Sequence, residues 1–229
     1  MIIGPNGAGK TTIINAISRA VPCEGEIRVC GQEITSLGAK DLARRIGVLS
    51  QNHYIGYGFK VEEVVRLGAY SLRPGFLGKE SPGQSDSIVN VEGRIDEALR
   101  RTGLTEYRDR SVTTLSGGEL QRTFLAQLFV QDPQIMLLDE PANHLDLIYQ
   151  KQVFGLVKEW LEEKEAAVVS VVHDLSLAGI YGTNALLMNQ GKAVAQGDIS
   201  EVMTPEHLNQ VYGMDVAEWM RNLYEQWQR

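Results

Sequence analysis

Cysteine is nearly absent from this 229-residue chain, which carries only Cys23 and Cys30. With no further cysteine and no paired histidine nearby, the two complete neither a zinc set nor a disulfide framework, and reduced thiols of a cytosolic protein are expected. Cations are short as well: 22 Lys and Arg stand against 29 Asp and Glu, a net charge of −7. Nucleic-acid binding draws on clustered basic residues in excess, so no nucleic-acid partner is expected. Long hydrophobic runs are missing too. The most apolar stretch, 166–188, is broken by His173, Asp174, Gly179 and Gly182, and falls short of the ~20 apolar residues of a membrane span. Met1-Ile2-Ile3 leads straight into glycine-rich sequence with no basic region before an apolar one, so no signal peptide is expected. Internal repeats of solenoid period are absent. Membrane association would therefore run through a partner.

What is present is a globular composition, 43% hydrophobic, patterned as alternating strands and helices. Apolar periodicity predicts a helix over 10–19, short strands over 26–29 and 46–49, and helical segments within 61–110. A Gly, Ser and Pro-rich loop is expected over 73–90. The second half predicts helix 118–131, strand 135–138, helix 147–163 and strand 166–172, then strands 185–188 and 193–196 around a turn. Strands alternating with helices imply a parallel sheet covered on both faces. The plan is a parallel-sheet catalytic lobe interrupted by an all-helical lobe. Val216, Trp219, Met220, Leu223, Tyr224 and Trp227 are spaced as the apolar stripe of a last helix, which either packs on the chain's own core or binds a partner.

Two strings carry phosphate chemistry. GPNGAGKTT comprises Gly4, Pro5, Asn6, Gly7, Ala8, Gly9, Lys10, Thr11 and Thr12 and fits the P-loop, or Walker A, pattern without a mismatch. Its glycines let successive N–H groups face phosphate oxygens at the positive end of the following helix. Lys10 is expected at the β and γ phosphates and Thr11 on Mg²⁺. IMLLDE, residues 135–140, is an apolar strand ending in two carboxylates, as in Walker B, and delivers them where open α/β sheets bind ligands. Asp139 is expected to hold Mg²⁺ and Glu140 to take the proton of the attacking water.

LSGGELQR, residues 115–122, discriminates further. Ser116 suits a helix N-cap, and Gly117 and Gly118 leave backbone N–H groups open to an anion. This string resembles the signature of the ABC ATPase family. The resemblance implies a P-loop NTPase sheet flanked by helices with an inserted all-helical subdomain. The expected division is a RecA-like lobe over 1–52 and 132–215, a signature subdomain over 53–131 and an amphipathic C-terminal helix over 216–229. It further implies that Ser116, Gly117 and Gly118 close on ATP held by a second copy, in a head-to-tail homodimer. In family order, Gln51 resembles the glutamine that touches Mg²⁺ and the water. Asn143 to Asp146 (NHLD) resembles the loop that crosses the dimer interface, and His173 the switch histidine at the γ-phosphate. The stretch after Gln51, with His53, Tyr54, Tyr57 and Phe59, falls where the family's transmembrane partners dock.

Further strings, among them ANHLDLIYQ (142–150) and SVVHDLSLAGIYG (170–182), resemble the ATPases of importers for iron-siderophore, haem and cobalamin complexes. This implies two transmembrane permease subunits, an extracytoplasmic substrate-binding protein, and a place on the cytoplasmic face of the membrane. Two other readings stand beside it. Translation and DNA-repair ABC proteins resemble paired cassettes or carry long coiled coils, and neither is visible; a pseudo-ATPase scaffold is the other. Departures from the family are the short lead-in, with only Met1-Ile2-Ile3 before Gly4 and no upstream aromatic to stack on adenine, and Ala142 where threonine is common. Part of an N-terminal antiparallel lobe is accordingly expected to be missing.

Overall fold

Strand and helix alternate in the computed structural model much as the periodicity predicts; it describes residues 1–51, 58–72 and 90–228. In chain order the elements are β1 (Ile2–Ile3), α1 (Lys10–Ile17), β2 (Arg28–Val29), β3 (Gln32–Glu33), α2 (Ala39–Arg45), β4 (Ile46–Leu49), α3 (Val61–Arg66), α4 (Val91–Arg101) and α5 (Gly117–Gln131). There follow β5 (Ile135–Asp139), α6 (Leu147–Glu162), β6 (Ala167–Val171), α7 (Leu175–Tyr181), β7 (Asn184–Asn189), β8 (Lys192–Asp198), α8 (Ile199–Val202), α9 (Pro205–Tyr212) and α10 (Val216–Trp227). The expected contacts of His53, Tyr54 and Tyr57, and the expected loop up to residue 89, lie outside the described residues.

Contacts divide the chain into two compact units, Met1–Cys23 with Val169–Arg229, and Glu24–Val168. They differ from the lobes expected from the motifs, which cut the chain at 52/53, 131/132 and 215/216.

In the first unit β1 lies between β6 and β7 and is parallel to both, with Ile2 beside Val171 and Leu186. Ile2 and Ile3 of this strand are 3% and 0% exposed, and burying each fully is worth about 1.5–3 kcal/mol. β7 continues antiparallel into β8 with an irregularity between Leu187 and Met188. The side chains of Ile14, Val172, Ala178, Leu187 and Val202 complete this core.

In the second unit β4 and β5 run parallel in the register Ile46–Ile135 to Leu49–Leu138. Their apolar side chains join a cluster with Val61 and Val65 of α3, Ile95 and Leu99 of α4, Leu125 of α5 and Trp160 of α6. Gly68 permits the chain after α3 to approach α5 closely, since a β-carbon there would stand 2.1 Å from the carbonyl oxygen of Gln127. Arg66 ties α3 to α4 by pairing with Glu62 and Glu92, and Arg108 pairs with Glu62 and Asp96. The strand expected over 26–29 is only β2, a two-residue ladder with β3.

The last helix forms where expected, capped by Asp215, whose Oδ1 accepts the Glu218 N–H at 2.9 Å. Its stripe is not taken up by the chain's own core, the first of the two readings offered for it. Val216 is buried, whereas Trp219 is 54% and Trp227 80% exposed. Only the first turn packs, and the rest of the apolar face meets solvent.

Candidate functional site

β1 ends at Gly4, where the chain must turn under a neighbouring strand. Gly4 has φ 144° and a β-carbon there would meet the carbonyl oxygen of Met188 at 2.2 Å, so no larger residue fits. Gly9 at φ 95° turns the loop into α1. Between them the Gly191 N–H donates to the Ala8 carbonyl at 3.1 Å, fastening the loop to the β7–β8 turn. Lys10 opens α1 and folds back: Nζ donates to the carbonyls of Gly4 at 2.8 Å and Pro5 at 2.9 Å, with the residue 5% exposed. Asn6 and Gly7 are exposed at the loop's tip, and Thr11 and Thr12 lie in the first turn of the helix. Tyr212 of α9 reaches the same loop. Burial pushes its phenol above its usual pKa, and a bond from the Gly4 backbone opposes the shift.

His173 is exposed in this unit, just after β6. The strand is anchored beneath it by the Val172 N–H, which donates to the Ile2 carbonyl at 3.2 Å, and Asp174 caps α7 through bonds from the Ser176 and Leu177 N–H groups.

The second unit assembles the other residues. The parallel register of β4 and β5 brings Gln51 and the 139–140 pair past the carboxyl ends of adjacent strands. Asp139 is 3% exposed, at the end of a strand whose Met136, Leu137 and Leu138 are fully buried. Glu140 takes φ 53°, a left-handed conformation that costs a non-glycine residue about 1–3 kcal/mol and clusters at functional sites. Its Oε2 accepts two amide donors, Gln51 Nε2 at 2.7 Å and Asn143 Nδ2 at 2.7 Å. Asp146 caps α6, accepting the Tyr149 N–H at 3.1 Å.

Ser116 caps α5 as expected, and Glu119 answers it. Oγ of Ser116 accepts the Glu119 N–H at 3.3 Å, while Glu119 Oε2 accepts the Ser116 N–H at 2.7 Å, a reciprocal capping box. The Ser116 backbone bond, above all, holds the Glu119 carboxyl below its usual range. Gly117 is exposed and Gly118 buried, with the Tyr149 ring against it.

The structure thus places the P-loop and His173 in one unit, and Gln51, Asp139, Glu140, the signature and Asp146 in the other. It joins Gln51 to Glu140 directly. Sequence reasoning missed three contacts: Asn143 on Glu140, Tyr149 against Gly118, and Met188 under Gly4. Only the first had a signal, a carboxamide three residues beyond Glu140 across Pro141.

Strand, glycine loop and helix, with a lysine turned back onto its own loop, make the arrangement of a P-loop nucleoside triphosphatase. Comparison with known proteins narrows the class. The family model described as ABC transporter matches residues 1–143. The chain is 37% identical to the ferric enterobactin transport ATP-binding protein FepC of Escherichia coli (strain K12), over 93% of this chain and 76% of the relative. It is 35% identical to the hemin import ATP-binding protein HmuV of Rhodopseudomonas palustris (strain HaA2), over 96% and 81%. A nucleotide-free ATP-binding cassette from an ABC transporter shares the fold, with a TM-score of 0.72 at 22% identity over 93% of this chain and 83% of that one. The chain belongs to the ATP-binding subunits of ABC importers, ATPases whose hydrolysis is coupled to transport.

Proposed function

We propose that the chain binds Mg²⁺-ATP and hydrolyses it in a head-to-tail homodimer to drive uptake of an iron-siderophore, haem or cobalamin complex. The substrate class rests on relatives named for ferric enterobactin and hemin. The observation that carries the hydrolytic reading is Glu140: a carboxylate in left-handed backbone at the end of a buried strand, held by two amides at 2.7 Å.

The residues present fit the nucleotide. The glycine loop is already curled, and the Lys10 ammonium is presented inside it by two carbonyls, so phosphate oxygens meet a charge that needs little reorganisation. Lys10 binds the β and γ phosphates, with backbone N–H groups from Asn6, Gly7, Ala8, Gly9, Thr11 and Thr12 around them, while Pro5, which has no N–H, shapes the loop and holds the Lys10 ammonium by its carbonyl. Mg²⁺, when bound, would supply positive charge against that of the phosphates. Thr11, Asp139 and Gln51 would hold it. Gln51 is suited to this because its carboxamide bonds Glu140 through nitrogen and keeps its carbonyl oxygen for the metal. Glu140 takes the proton of the attacking water as its general base. His173 contacts the γ-phosphate, while Ser116, Gly117, Gly118 and Asp146 serve the nucleotide of the second copy.

Partners are the second ATPase subunit, two permease subunits, and a substrate-binding protein acting through them. Among the described residues no helix is long and apolar enough to cross a membrane, and the subunit sits at the cytoplasmic face through the permease. ATPase assay of the reconstituted complex tests the reading. Glu140→Gln should lower turnover at least about a hundredfold with ATP still bound; wild-type turnover no higher than the variant's overturns it.

A further inference from the structure

The geometry points to Asn143 as a positioning residue for the general base, fixing the Glu140 carboxylate from within the same short turn. The inference rests on Glu140 being that base. Asn143 is bound to Glu140 twice, its backbone N–H donating to the Glu140 carbonyl at 3.1 Å and Nδ2 donating to Oε2 at 2.7 Å. Which end of its carboxamide faces the carboxylate is also set. Oδ1 accepts the His144 N–H at 3.0 Å, and with the acceptor end engaged there, the donor end is the one turned to Glu140.

The backbone is bent to achieve this. Glu140 and His144 both take left-handed φ, 53° and 61°, and the Leu145 N–H closes on the Ala142 carbonyl at 3.3 Å. Two non-glycine residues in that conformation within five positions need a compensating arrangement, and the bracketed amide is what the turn presents. Gln51 makes the same bond to the same oxygen, but from the end of another strand and with a metal-facing task of its own. Asn143 holds the carboxylate from three residues along the same turn, and a base must be held in direction for proton transfer to be efficient.

The test uses the full chain in the reconstituted transporter, with Asn143→Ala and the nearly isosteric Asn143→Asp, which keeps the shape and removes the donor. Both should lower kcat about tenfold or more and leave the KM for ATP within about twofold, with melting temperatures close to wild type. In a Glu140→Gln background, Asn143→Ala should leave the residual single-turnover rate unchanged, because there is no carboxylate left to aim. Nucleotide affinity and melting are read alongside, so a general packing defect shows itself in both backgrounds. If Asn143→Ala and Asn143→Asp both keep wild-type kcat while Glu140→Gln is inactive, or if Asn143→Ala slows both backgrounds equally, the inference is overturned and the proposed function stands. Wild-type turnover in Glu140→Gln overturns both.

Discussion

A β-carbon at Gly118 would stand 2.7 Å from Cδ1 of Tyr149, so the signature glycine and the first turn of α6 occupy one another's space. The ring is held from its other surroundings by the Arg122 guanidinium, 5.8 Å from its centroid, which also bonds Gln152. Gly118→Ala should therefore destabilise the chain by about 1–3 kcal/mol, the usual cost of overpacking. Urea unfolding of the single variants and of Gly118→Ala with Tyr149→Ala checks it. Stability should partly return in the double variant if the ring is the obstacle, and a cost that persists unchanged refutes the steric account.

Lys10 donates to two carbonyls, and removing the ammonium takes that charged donor from both, the Pro5 oxygen keeping only the Ala8 N–H at 3.3 Å. Lys10→Ala should thus lower the melting temperature even without nucleotide, and weaken ATP binding on the order of a hundredfold, about 3 kcal/mol for lost charge-assisted bonds. Isothermal calorimetry and thermal melting read the two effects separately.

Acid should loosen the helical part of the second unit. Arg100 first and Arg101 second hold the Glu97 carboxyl at about 2, below its usual 4.5, and Arg66 lowers Glu92 in the same way. A carboxyl depressed in the folded state stabilises fully above its unfolded value and loses that contribution as pH falls through the folded one. Stability should drop between pH ~4.5 and ~2, modestly because Glu97 is well exposed to solvent. Urea midpoints against pH should slope less in Glu97→Gln over that window.

Tryptophan emission should report the last helix. Trp160 is 2% exposed and stacks on Phe129 at 6.2 Å between centroids, while Trp219 and Trp227 stand in solvent on α10. Acrylamide should quench most of the emission of the free subunit, and Trp219→Phe with Trp227→Phe should leave a blue-shifted, protected remainder. A wild-type spectrum already protected would mean that α10 is covered.

Much of the candidate site was legible because its pieces are local. Glycine spacing, an apolar strand ending in acids, and a serine before a helix each encode their own geometry within one turn of chain, and the structure shows the loop, the strand and the Ser116 cap there, to which Glu119 adds a reciprocal bond the sequence reading did not name. Contacts between distant positions left no such mark. Nothing near Gly4 in sequence announces the Met188 carbonyl, and nothing in LSGGELQR announces Tyr149. The stripe of α10 shows the opposite failure. Its 3.6-residue period states that one face is apolar, and periodicity is blind to whether a surface stands opposite.

The carbonyl of Met188 beneath Gly4, with the Gly191 N–H on Ala8, makes the phosphate loop's shape a possession of the folded unit rather than of its nine residues. An isolated peptide of that sequence has no floor to rest on and should ignore ATP. By linkage, whatever free energy the nucleotide gains on the loop is returned to the fold of β7, β8 and their neighbours. Titrating ATP should accordingly slow hydrogen exchange in β7 and β8, toward the far end of the chain from the loop.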